Sequence, residues 1–133
     1  MISPSSDEIV KLAEKYTTIP VCREIYADMI TPIALLRRLQ TSSDRFFLLE
    51  SVEGGEKWAR YSFLGYDPIL RATCRNGRVT LEGAENRTVE TDKPLSVLRE
   101  VLSRYRAPHI EGLPPFTGGF VGYFAYAMLG YAE

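Results

Sequence analysis

The stretch from Arg45 to Pro68 constrains this chain more than any other, because it reads as two strands that must pair with each other. Phe46 to Val52 is a short apolar run opened by two aromatic residues, the composition of a buried strand. Glu53 to Lys57 is polar and contains Gly54-Gly55, whose missing side chains relax the backbone limits on a reversal. Ala59 to Tyr66 returns as a second strand, closed by Gly65 and by the turn-favouring pair Asp67-Pro68. The spacing predicts a hairpin. Glu50 and Ser51 directly follow four apolar residues, so polar groups are expected at the end of a buried strand. A buried polar group costs free energy unless something hydrogen-bonds it, and the partner is either the protein or a ligand.

The segments on either side predict short helices and further antiparallel strands. Ser5 and Glu8 have capping-box spacing, with Ile9, Leu12, Ala13 and Tyr16 at helical intervals behind them. Thr18 to Tyr26 is rich in β-formers, and Pro20 limits it to an edge or early strand position. Thr31-Pro32 is an N-cap followed by proline at the first helical position, and Ile33, Leu35, Leu36 and Leu39 supply an apolar stripe. Ile69–Arg75 and Arg78–Glu82 flank Asn76-Gly77, the strongest short signal for a type I′ hairpin turn. Leu70, Ala72 and Cys74 alternate there with Arg71, Thr73 and Arg75, as a sheet with one wet face requires. A short strand is expected near Val89. Pro94 to Tyr105 then reads as a third helix with Leu95, Leu98, Val101, Leu102 and Tyr105 on one side.

Composition excludes several classes of function. The chain has 133 residues, enough for one domain with a core, at 45% hydrophobic and 25% charged content. Sixteen Lys plus Arg against 17 Asp plus Glu leave a net charge of −1, and no basic block is present to attract nucleic acid or an anionic membrane. The first residues lack the basic and apolar regions of a secretory signal, so a cytoplasmic setting is expected. Cys22 and Cys74 lack metal-ligand spacing and read as two reduced, partly buried thiols. Leu113 to Ala132 carries no charge, nominally enough for the roughly 20 residues of a membrane helix. Its two prolines, its glycines and its few Leu and Ile residues argue against that. Phe116 to Tyr126 instead suggests a strand apolar on both faces, and the absence of a polar closing element gives the design an unfinished look.

Catalytic constellations are scarce. His109 is the only histidine, placed in a proline-flanked loop. Neither a dinucleotide fingerprint nor a phosphate loop is present, and Glu53 and Glu56 sit in the reversal as solvated residues. Ser51 is the polar group that stands out. Strand alternation puts it on the face of Phe47 and Leu49, so a hydroxyl ends an apolar stripe that suits an amphipathic ligand with an aromatic body and a charged head.

Leu48-Leu49-Glu50-Ser51-Val52-Glu53-Gly54-Gly55-Glu56-Lys57-Trp58-Ala59-Arg60-Tyr61-Ser62-Phe63-Leu64-Gly65 closely resembles the signature of the N-terminal region of anthranilate synthase component I. Ile19-Pro20-Val21, Ala27-Asp28 and Thr31-Pro32 resemble that family's opening segment; Pro114-Pro115-Phe116-Thr117-Gly118-Gly119 and Val121-Gly122-Tyr123-Phe124 resemble its exit strand. One position departs from the pattern, since Tyr126 is followed by Ala127 where the family usually has aspartate. The resemblance implies an α+β fold of antiparallel sheets with a few short helices, the N-terminal part of a two-sheet sandwich. It implies that residues 1–133 are the regulatory domain, with L-tryptophan as feedback inhibitor bound by Ser51, Glu50 and, as a weaker candidate, Lys57. Catalysis, with chorismate and Mg2+, belongs to a C-terminal half absent here, and ammonia comes from a glutamine amidotransferase subunit. No catalytic residue is expected in this chain. Alone it is expected to be inactive and to self-associate. The N-terminal domain of aminodeoxychorismate synthase component I and a stand-alone amino-acid-binding module remain open as alternatives.

Overall fold

The computed structural model describes residues 2–50 and 61–131. Among them the fold is α+β, built of short helices and three small antiparallel sheets. In order these are β1 (Ile2–Ser3), α1 (Ser6–Ala13), β2 (Cys22–Arg23), α2 (Pro32–Leu39), β3 (Phe46–Glu50), β4 (Ser62–Tyr66), β5 (Leu70–Arg75), β6 (Arg78–Gly83), β7 (Arg87–Glu90) and α3 (Pro94–Ser103), followed by a 3-10 turn over Tyr126–Tyr131. The strands pair β1 with β2, β3 with β4, and β5–β6–β7 in sequence. The chain divides into two compact units: Met1–Ile25, Ala72–Leu81 and Arg87–Glu133 form the first, Tyr26–Arg71 and Glu82–Asn86 the second.

In the first unit, local signals at the start of α1 are realised in full. The Ser5 hydroxyl accepts from the Glu8 N–H at 3.4 Å, and the Glu8 carboxylate accepts from the Ser5 N–H at 2.8 Å, so two orphan donors of the first turn are satisfied reciprocally. Asn76 and Gly77 both have positive φ, 50° and 72°, as a type I′ turn demands, and β5 and β6 close around them. The Gly77 N–H donates to the Tyr131 hydroxyl at 2.8 Å. The core of this unit is Val79, Leu81, Val97 and Val101. The first two alternate on one face of β6 and the last two are a turn apart on α3, so the periods of two and 3.6 converge there. Full burial of such side chains contributes about 1.5–3 kcal/mol each. Thr17 ties the end of α1 to the end of α3: its hydroxyl donates to the Arg104 carbonyl at 2.6 Å and accepts from the Arg106 N–H at 2.8 Å.

Several expectations are corrected here. The strand expected over Thr18–Tyr26 reduces to Cys22–Arg23, paired with Ile2 and Ser3, because only two residues of partner strand are available. The buried positions of α3 are Pro94, Val97 and Val101, while Leu95, Leu102 and Tyr105 are exposed; the stripe is rotated from the one expected. Phe116–Tyr126 forms no strand. Gly118 and Gly119 have φ of 156° and 149°, and among the described residues no strand pairs with the segment. Tyr123 is 90% exposed and Phe124 is also largely in solvent. Cys74 is exposed rather than partly buried; Cys22 is half-buried, and both thiols are free. No helix among the described residues is long and apolar enough to cross a membrane.

In the second unit, α2 starts as its sequence predicts, with the Thr31 hydroxyl accepting from the Ala34 N–H at 3.1 Å and Pro32 in the first turn. It lies against β3 and β4. Leu36 and Leu39 are half-buried there, whereas Ile33 and Leu35, also expected in the buried stripe, are exposed.

Candidate functional site

The hairpin of β3 and β4 is the frame of the candidate site. Its register runs from Phe46 opposite Tyr66, through Phe47–Gly65, Leu48–Leu64 and Leu49–Phe63, to Glu50 opposite Ser62. One face therefore carries Phe47, Leu49, Phe63 and Gly65, and the other carries Phe46, Leu48, Glu50, Ser62, Leu64 and Tyr66. Gly65 makes room for its neighbour, since a Cβ there would meet the Phe47 ring and oblige it to shift. Tyr61 stacks on Phe63, with ring centroids 5.8 Å apart and planes inclined by 28°. That offset geometry gives the β4 side of the face an aromatic surface.

The open end of the hairpin, where the chain enters β3 and leaves β4, is pinned by Ser43, which the sequence reading counted only as part of the helix stop. Ser43, 8% exposed, donates its hydroxyl to the Arg45 carbonyl at 3.0 Å and accepts from the Arg45 N–H at 3.2 Å. The same carbonyl accepts from the Asp67 N–H at 3.1 Å, so both strands leave from one fixed point. The sequence signal was the serine two residues before Arg45, a spacing typical of local hydroxyl-to-backbone bonds.

Of the expected tryptophan-site residues, Glu50 ends β3 in an exposed position, on the face of Leu48 and away from Phe47 and Leu49. Ser51 and Lys57 lie outside the described residues, as do Glu53, Gly54-Gly55 and Glu56. The expectation that β3 is buried is corrected: Leu49 is 49% exposed, since among the described residues of its unit α2 is the one helix against this hairpin. The Glu50 carboxylate is therefore solvated in this chain and needs no ligand to offset its burial. Among the described residues no three His, Cys, Asp or Glu side chains come together as a metal ion would require. His109 is exposed in its loop.

The arrangement offers an aliphatic and aromatic strip, half in solvent, that leads toward a polar strand end. No family model matches the chain. Over its own length the chain is similar to the first components of bacterial synthases. Those are anthranilate synthases. The chain is 41% identical to anthranilate synthase component 1 of Acetivibrio thermocellus over 135 residues, all of this chain and 27% of that protein. It is 38% identical to the Pseudomonas aeruginosa protein of that name over 130 residues (96% of this chain, 26% of the relative) and 41% identical to the Aquifex aeolicus one over 131 residues (97% and 26%). The chain spans about a quarter of the length of these relatives. It is related by sequence to anthranilate synthase component 1 across essentially all of its residues, in agreement with the resemblance read from the Leu48–Gly65 motif.

Proposed function

We propose that these 133 residues are the regulatory N-terminal part of an anthranilate synthase component 1. The observation that supports this reading is the similarity itself: it runs the whole length of the chain and takes up about a quarter of each relative. In the intact cytoplasmic enzyme, chorismate and ammonia give anthranilate, pyruvate and water. The ammonia is delivered by a glutamine amidotransferase subunit, a role in keeping with the word "component" in the relatives' name. Mg2+ serves the chorismate-binding half, with ligands outside this chain.

The regulatory role is assigned to the β3–β4 hairpin. Tryptophan lies with its indole on the Phe47–Leu49 face, and Ser51 hydrogen-bonds a charged end of the amino acid. Lys57 and Glu50 are the further polar candidates, Glu50 reaching the ligand only around the strand end because its side chain belongs to the opposite face. The test has two arms. The intact protein, given chorismate, ammonium and magnesium, forms fluorescent anthranilate at a rate that falls as tryptophan is added; the isolated chain forms none. Product made by the isolated chain would sink the division of labour, and an intact enzyme indifferent to tryptophan would sink the regulatory role.

A further inference from the structure

The β5–β6 hairpin carries a feature that the tryptophan reading does not use. Alternation puts Thr73 and Arg75 on one face of β5, and Arg78 and Thr80 on one face of β6; Val79 between them points into the core. The two-residue turn sets Arg75 across from Arg78 and Thr73 across from Thr80. These four side chains and Asn76 line one recess of about 350 Å3. Like charges directly opposite each other on a hairpin are unfavourable. One of the two is compensated: Arg78 Nη2 lies 2.8 Å from Glu90 Oε1, its cross-strand partner on β7, with both side chains mostly in solvent. Arg75 has no carboxylate partner among the described residues.

We propose that this recess binds a small oxyanion of the phosphate class. Two guanidinium groups against one carboxylate leave a local excess of positive charge in a chain whose net charge is −1. Guanidinium groups match the oxygens of phosphate with paired N–H donors. The hydroxyls of Thr73 and Thr80 and the Asn76 amide supply neutral donors beside them. The frame beneath is rigid, since Val79 is 1% exposed and the turn is held by Tyr131. An anion between Arg75 and Arg78 turns an unfavourable cross-strand pair into two favourable contacts. The proposal stands whether or not the hairpin of β3 and β4 binds tryptophan.

The test is a titration of the 133-residue chain with inorganic phosphate, followed by backbone amide NMR at constant ionic strength against sodium chloride. Saturable shifts are expected at the amides from Thr73 to Thr80. Arg75→Gln should weaken phosphate about tenfold, the loss of one charged contact at ~1.4 kcal/mol per tenfold. Glu90→Gln, which removes the competing carboxylate, should tighten it. Both positions are exposed, so the spectra of the variants report directly on retained folding. The proposal is overturned if chloride reproduces the shifts, or if phosphate affinity is the same in the wild type, Arg75→Gln and Glu90→Gln.

Discussion

At the scale of single residues, two glycines separate close packing from backbone strain. At Gly65 an added methyl meets the ring of Phe47, a half-exposed side chain able to swing aside. Gly65→Ala is expected to cost about 1 kcal/mol, the low end for overpacking. Gly83 has φ of 125°, and its Cβ would strike the Ile69 carbonyl, which cannot move without the strand. Gly83→Ala should therefore lower the urea midpoint clearly more than Gly65→Ala does; equal midpoints would show that the backbone yields there as easily as a side chain. Ser51 sets the prediction for regulation. A hydrogen bond to a charged group contributes roughly 1.5–3 kcal/mol, so in the intact enzyme Ser51→Ala should raise the tryptophan concentration for half inhibition by about one to two powers of ten, at ~1.4 kcal/mol per tenfold. Turnover at low tryptophan should stay as it is. An unchanged half-inhibition concentration removes Ser51 from the site.

At the scale of elements, α1 depends on its capping box. The Ser5 backbone N–H, and after it the Ser5 hydroxyl, hold the Glu8 carboxyl below its ordinary pKa. A depressed carboxyl pKa means that the unfolded chain binds the proton more readily, so this contribution is present above the ordinary glutamate range and is lost as pH falls through the folded value. Ser5→Ala should cost about 1 kcal/mol and flatten the acid limb of the stability profile; a profile unchanged by the substitution would show that the cap is not felt. The same contrast explains what could be read in advance. Ser5–Glu8, Thr31-Pro32 and Asn76-Gly77 specify backbone geometry within a few residues, and each folds as its sequence says. The β3–β4 pairing was legible for a similar reason, since two apolar runs flank one reversal. Phe116–Tyr126 was not, because a strand exists only with a partner, and a partner cannot be seen in the strand's own alternation. Nor was the true face of α3: Val97 and Val101 compete with Leu95 and Leu102 for the core on nearly equal terms, and packing decides. Of the candidate site, the sequence showed the motif and its alternation. It did not show that Leu49 would be half in solvent or that Ser43 would pin the strands.

At the scale of the whole molecule, the first unit leaves Tyr123, Phe124, Tyr126 and Leu129 exposed, and the second leaves Tyr26 and Met29 exposed, at 100% and 90%. Apolar side chains clustered in one short segment are a liability in water and drive association. The isolated chain should form dimers or larger species through the Tyr123–Leu129 segment. Sedimentation across micromolar concentrations checks this, with Phe124→Ser and Leu129→Ser combined to shift the population toward monomer. A wild-type chain that sediments as a monomer throughout would end the idea, and an association indifferent to the double variant would move it elsewhere on the surface.

The hydrogen bond from Gly77 to Tyr131 also bears on how the protein ages. Asparagine followed by glycine is prone to deamidation, in which the backbone nitrogen of the second residue attacks the side-chain amide of the first and ammonia leaves. Here that nitrogen is Gly77 N, and its hydrogen is directed at the Tyr131 hydroxyl from a fixed turn. Holding the attacking atom in this way slows ring closure, so Asn76 should outlast the same dipeptide in an unfolded peptide. Tyr131→Phe keeps the ring and deletes the acceptor. On long incubation at mildly alkaline pH, mass spectrometry should find conversion of Asn76 to aspartate or isoaspartate faster in the variant; equal rates would mean that the turn protects the residue without help from Tyr131.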